Sequence, residues 1–150
     1  MSNLLGAREL SPVATQLPLA WYFDESIYRR ELEVLFKNGP GYVGHELMVP
    51  NANDYRALEM TNGAWSLINN GRDINMVSNV CRHRQAVMLK GSGQLPAGNL
   101  VCPLHRWTYD GEGQLLGAPH FPQQPCLNLP RKNLQKWNGM LFQGPREIAG

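Results

Sequence analysis

The chain has 150 residues, of which 43% are hydrophobic and 17% charged, and its net charge is +2. A single-domain length with this apolar share excludes wholesale disorder, and the absence of Lys/Arg runs interleaved with aromatics argues against a nucleic-acid partner. Glu9 and Pro12 stand where a secretory leader would be apolar, and no run of ~18 apolar residues marks a membrane span, so a cytoplasmic protein with no membrane partner is expected.

Residues 1–16 show no periodicity and are expected to form a loose arm. The segment 17–40 contains "DESIYRRELEVLFKNGPG", which predicts a short helix. Asp24 or Ser26 caps its start, Tyr28, Leu32, Leu35 and Phe36 form a face that should pack, and Asn38-Gly39-Pro40 ends it. From 41 to 150 the pattern changes to short segments rich in β-branched and aromatic residues: "YVGHELMV", "DYRALEM", "AWSLIN", "INMVSN", "LVC", "WTYD", "QLLG" and "GMLFQ". Turn residues separate them at "PNAND", "TNG", "NNGRD", "KGSGQLPAGN", "DGEG" and "WNG". The expected fold is mostly β, a small antiparallel sandwich or barrel of hairpins and meanders behind a short N-terminal helix.

Three cysteines in a reducing compartment point to metal binding, catalysis or burial. Two of them belong to uneven Cys/His pairs, "CRHR" at 81–84 and "CPLH" at 102–105, each adjoining a predicted strand. A single tetrahedral zinc held by Cys81, His83, Cys102 and His105 fits this spacing poorly. Structural zinc sites usually place two to four residues between the ligands of a pair, and only Arg82 lies between Cys81 and His83. Two irons bridged by two sulfides remove the difficulty, because each loop can offer its cysteine to one iron and its histidine to the other.

Two cysteines on one iron and two histidines on the other is the Rieske arrangement of a [2Fe-2S] centre. On "CRHR" and "CPLHRW", the chain resembles the Rieske domain of ring-hydroxylating oxygenase α subunits. The resemblance extends to "YVGHELMVPNANDY", "NVCRHR", "CPLHRWTYDGEGQLLGAP" and "WNGMLF". It implies a Rieske-type β-sandwich over 41–150, with Cys81, His83, Cys102 and His105 as the cluster ligands. Neither loop has the second cysteine that respiratory Rieske proteins use for a disulfide, which favours the oxygenase branch. The family usually has glycine after its "CxHR" and after the second histidine, where this chain has Gln85 and Arg106. Glycine there would permit positive φ. With neutral imidazoles the oxidised cluster carries no net charge, whereas four thiolates would leave it at −2. That agrees with Rieske potentials of roughly −150 to +300 mV against about −400 mV for plant-type ferredoxins.

Residues around the ligands admit two readings each. Arg82, Arg84 and Arg106 either supply a positive field and a docking surface for an acidic donor, or are solvated and ion-paired. Trp107 and Tyr109 either wall the cluster, with the phenol donating toward sulfur, or are inward residues of one strand; core packing is preferred for Trp107. By resemblance Pro119 belongs to a third, shielding loop, with His120 beside it. Cys126 and His45 lack partners at ligand spacing and are expected to be structural.

The resemblance further implies an oxidoreductase. The chain would be the electron-transfer part of a mono- or dioxygenase acting in aromatic ring hydroxylation or oxidative demethylation. Its electrons would come from a ferredoxin or flavin reductase and pass, through His105, to a catalytic domain of the same or a neighbouring subunit. That domain would carry a mononuclear iron held by two histidines and a carboxylate, a set that His45 and His120 do not complete here. The alternatives are a freestanding Rieske ferredoxin and, outside redox chemistry, a zinc-stabilised interaction module.

Overall fold

A computed structural model describes residues 17–39, 41–121, 123 and 125–144. The arm expected over 1–16 and Pro40 at the expected helix end lie outside the described residues. The chain divides into two compact units between Lys37 and Asn38.

In the first unit, a 3-10 turn at Leu19–Tyr22 precedes helix α1, Glu25–Glu31, which continues as wider π-type turns over Leu32–Lys37. Asp24 is the cap. Its Oδ1 accepts from the N–H groups of Ser26 at 2.8 Å and Ile27 at 3.4 Å, satisfying donors that a helix start leaves open. Ser26, the other candidate, donates its hydroxyl to the same oxygen. The expected packing of the apolar face is not observed: Tyr28, Leu32, Leu35 and Phe36 are all exposed. Among the described residues of its unit, the short helix has no second layer to pack against.

The second unit is built from antiparallel strands: β1 (Gly41–His45), β2 (Asp54–Ala57), β3 (Trp65–Asn69), β4 (Ile74–Ser78), β5 (Ser92–Gln94), β6 (Leu100–Val101), β7 (Thr108–Tyr109), β8 (Leu115–Gly117), β9 (Arg131–Lys132), β10 (Leu134–Trp137) and β11 (Met140–Gln143). They form a five-stranded sheet in the order β5-β2-β3-β4-β9 and two three-stranded sheets, β1-β11-β10 and β6-β7-β8.

The five-stranded sheet serves two cores because side chains alternate along a strand. Leu67 and Met76, paired across β3 and β4, join Val43, Val49, Leu58 and Leu141. Their chain neighbours Ile68 and Val77 face the other way, with Leu100, Trp107, Tyr109, Leu115 and Leu129. The second core also holds Cys81 and Cys102. It therefore ties the two cysteines to the centre of the fold.

Some expected elements differ. The strand expected over 42–49 ends at His45, whose Nδ1 accepts the N–H of Leu47 at 3.2 Å and starts a 3-10 turn, Glu46–Met48. That contact gives His45 the structural role expected of it. Strand β5 lies inside a stretch whose sequence predicts a loop, and β9 and β10 precede a turn for which the sequence predicts only the following strand. That turn, Asn138-Gly139, closes a two-residue hairpin in which both residues have positive φ, 46° and 80°. A Cβ on Gly139 would lie 2.6 Å from the His45 ring, so glycine is required there.

Candidate metal centre

Two short antiparallel pairings close two loops of equal length. The bridge Val80↔Val87 encloses residues 81–86, and the β6–β7 pair Val101↔Thr108 encloses residues 102–107. Their backbones repeat each other. Cys81 N–H donates to Ala86 at 2.9 Å and Cys102 N–H to Trp107 at 2.8 Å, while Gln85 and Arg106 donate back to the respective cysteine carbonyls, both at 2.9 Å. Gln85 and Arg106, standing where the family usually has glycine, both adopt positive φ, 55° and 57°. The loop turn is thus kept without the glycines, against the steric cost of Cβ in that region.

The loops differ in where the histidine falls, third in one and fourth in the other. Across the gap, like meets like. The Cys81 and Cys102 thiols are close enough for Cys102 to act on the ionisation of Cys81, and the His83 and His105 rings lie edge to face with centroids 4.6 Å apart. Among the described residues no three His, Cys, Asp or Glu side chains are grouped to hold one ion; the four donors form two pairs. Both cysteines are buried and free. Burial pushes the Cys81 thiol up, and the neighbouring Cys102 adds to this, against hydrogen bonds from the His83 N–H and the Tyr109 hydroxyl. His83 is pushed down, first by burial and then by the charges of His105 and Arg84, which favours the neutral ring. Its Nδ1 is buried without a hydrogen-bond partner. A binuclear cluster with thiolates on one metal and imidazoles on the other fits this donor set.

Tyr109, wholly buried, accepts the N–H of Arg82 at 3.2 Å and lies 3.6 Å from the Cys81 sulfur. Burial first, then the bond to Cys81, hold its hydroxyl well above the ordinary tyrosine range. Trp107 is buried in the core and also stacks on His83, centroids 5.0 Å apart and planes 6° from parallel. Arg82, Arg84 and Arg106 are exposed, and no carboxylate among the described residues pairs with them. Pro119 and His120 are exposed, and Cys126 is free and exposed.

Two residues were not singled out by sequence. Phe121 meets both His83 and Trp107 edge to face, at 5.7 and 5.1 Å. Asn79, fully buried, donates its amide to the carbonyls of Gly63 and Leu89 and accepts from the Leu89 N–H, which clamps the return of the first loop. An Asn two residues before the first cysteine was the only local signal.

Two facing loops that offer like donors in pairs form a donor set that an iron–sulfur cluster would need. The sequence profile of the Rieske [2Fe-2S] domain matches residues 40–133, and the chain belongs to that family. It is 57% identical, over 99% of its length and 40% of the relative's, to putrescine 2-hydroxylase of Ralstonia nicotianae (strain ATCC BAA-1114 / GMI1000). It is 48% identical, over 99% of its length and 38% of the relative's, to putrescine 2-hydroxylase of Bordetella bronchiseptica (strain ATCC BAA-588 / NCTC 13252 / RB50). The chain thus spans about two fifths of the curated relatives it matches. Naphthalene 1,2-dioxygenase from Rhodococcus sp., solved bound to indole, superposes with a TM-score of 0.65 at 25% identity, over 81% of this chain and 29% of that one. Among the described residues no helix is long and apolar enough to cross a membrane.

Proposed function

We propose that Cys81 and Cys102 hold one iron, and His83 and His105 the other, of a Rieske [2Fe-2S] cluster, and that residues 41–150 pass single electrons to the catalytic part of a non-haem iron oxygenase. The observation that carries the ligand set is the pairing of cysteine with cysteine and histidine with histidine across two loops of identical backbone form. When bound, such a cluster supplies one-electron reduction at roughly −150 to +300 mV. The chain's own residues do the rest. The loops preset the donors, Trp107 orients the His83 ring, and Tyr109 turns its hydroxyl toward the Cys81 sulfur while the Arg82 N–H occupies its oxygen.

Identity to two hydroxylases over nearly the whole chain supports the oxygenase reading over a freestanding ferredoxin. The full-length protein would then add a mononuclear iron. Those relatives also favour hydroxylation of an aliphatic amine of the putrescine type over aromatic hydroxylation or demethylation. The exposed guanidiniums of Arg82, Arg84 and Arg106 suit an acidic ferredoxin or flavin reductase as donor. By the family resemblance His105 is the exit toward a neighbouring subunit's catalytic domain. Stoichiometric reduction tests the assignment: these 150 residues should take up one electron per chain and form no hydroxylated product from putrescine. Uptake of two electrons, or steady product formation coupled to oxygen consumption, would overturn it.

A further inference from the structure

The two histidines of the centre do not have equivalent surroundings. His105 has one aromatic neighbour among the described residues, the His83 ring. His83 has three: His105 at its edge, Trp107 flat against its face, and Phe121 perpendicular to it. Phe121 also stands perpendicular to Trp107, with centroids 5.1 Å apart, so one ring closes the edge of the whole His83/Trp107 stack. Trp107 is buried, whereas Phe121 is 44% exposed. The Phe121 ring therefore forms the boundary between that stack and water. Its placement is built into the chain after β8. The Phe121 N–H donates to the Ala118 carbonyl at 3.2 Å, and His120 takes φ 71°, which reverses the chain and returns the ring over the first loop.

We propose that Phe121 is a positioning residue. It fixes the plane of the His83 ring against Trp107 and keeps water from that side of the centre, so that solvent and redox partners meet the cluster by way of His105. The inference rests on the ligand assignment above. Perpendicular aromatic contacts of this geometry contribute beyond simple burial, and a ring held from two directions loses its rotational freedom, as supporting contacts do for metal-bound imidazoles.

The test compares the cluster-loaded chain with Phe121→Ala, Phe121→Leu and Phe121→Tyr, and with Leu116→Ala as an exposed apolar control on β8. The first readout is pulsed paramagnetic resonance of the reduced protein in deuterated water, which reports solvent deuterons and the two coordinated nitrogens separately. The second is the rate of iron loss to a chelator. Phe121→Ala should deepen the deuteron modulation, alter the coupling of one nitrogen and not the other, and speed iron loss by about three- to tenfold. Phe121→Leu should restore the loss rate in part without restoring the nitrogen coupling, Phe121→Tyr should restore both, and Leu116→Ala should change neither. Equal deuteron modulation and nitrogen couplings in wild type, Phe121→Ala and Phe121→Leu would overturn the proposal, even if iron loss accelerated. Absence of a [2Fe-2S] signal from the wild-type chain would overturn the ligand assignment instead.

Discussion

Truncating Asn79 to alanine perturbs the cluster fold without touching any ligand. The side chain, 0% exposed, makes three hydrogen bonds: to the Gly63 carbonyl at 2.9 Å, to the Leu89 carbonyl at 2.8 Å and from the Leu89 N–H at 2.8 Å. Each bond is worth about 1 kcal/mol net, and more where the abandoned partner stays buried, so Asn79→Ala should cost about 3–4 kcal/mol. That is a large share of the ~5–15 kcal/mol of a typical domain. For a domain of this size it lowers Tm by about 10–20 °C. Asn79→Asp keeps the shape but turns a double donor into an acceptor facing two carbonyls, and it buries a charge. Its carboxyl would therefore have a raised pKa in the folded state, so the loss should be greatest at neutral pH and shrink as pH falls and the group protonates. Urea and thermal denaturation followed by circular dichroism give both numbers. A loss below about 1 kcal/mol for Asn79→Ala would refute the view that this amide holds the return of the first loop.

Gln85→Gly and Arg106→Gly should each raise stability by up to about 1 kcal/mol, since glycine adopts their positive φ without the Cβ clash; denaturation midpoints decide it. Cys81→Ser or Cys102→Ser should abolish bound iron and sulfide, whereas Cys126→Ser, at an exposed position, should leave both unchanged in metal analysis. Tyr109→Phe removes a hydroxyl 3.6 Å from the Cys81 sulfur. A bond to sulfur favours the more negative, reduced cluster, so redox titration should show a lower potential in the variant. The same substitution has an alkaline signature. The folded chain holds the Tyr109 proton more tightly than the unfolded chain does. Wild type should therefore lose stability relative to Tyr109→Phe as pH rises above about 10, by up to ~1.4 kcal/mol per pH unit, and the two should run parallel below that.

How much was readable in the sequence followed the range of the interactions involved. Strands β3 and β4 stood out because Leu67/Ile68 and Met76/Val77 are apolar on both faces of a sheet buried from both sides. The Asp24 cap and the Asn138-Gly139 turn are local chemistry and were legible for that reason. Strand β5, Ser92-Gly93-Gln94, is exposed throughout and carries no apolar residue, so only its pairing with β2 makes it a strand. The 42–49 segment looked uniformly extended because nothing in its periodicity reveals that His45 captures the Leu47 N–H. At the site, the uneven pair spacing pointed to two metals. Phe121 carries no local signal, because its partners, His83 and Trp107, are distant in sequence and its own segment is a proline- and glutamine-rich stretch without periodicity. The positive φ at Gln85 and Arg106 shows that a loop can keep its form after losing the residue that most easily adopts it.

Whether two like-donor pairs hold one binuclear cluster is decided by metal and acid-labile sulfide analysis of the purified chain, handled without air or chelators. Two irons and two sulfides per chain are expected, with a rhombic paramagnetic signal after reduction that reports two coordinated nitrogens. One zinc per chain without sulfide, or an iron–sulfur signal free of nitrogen coupling, would contradict that expectation.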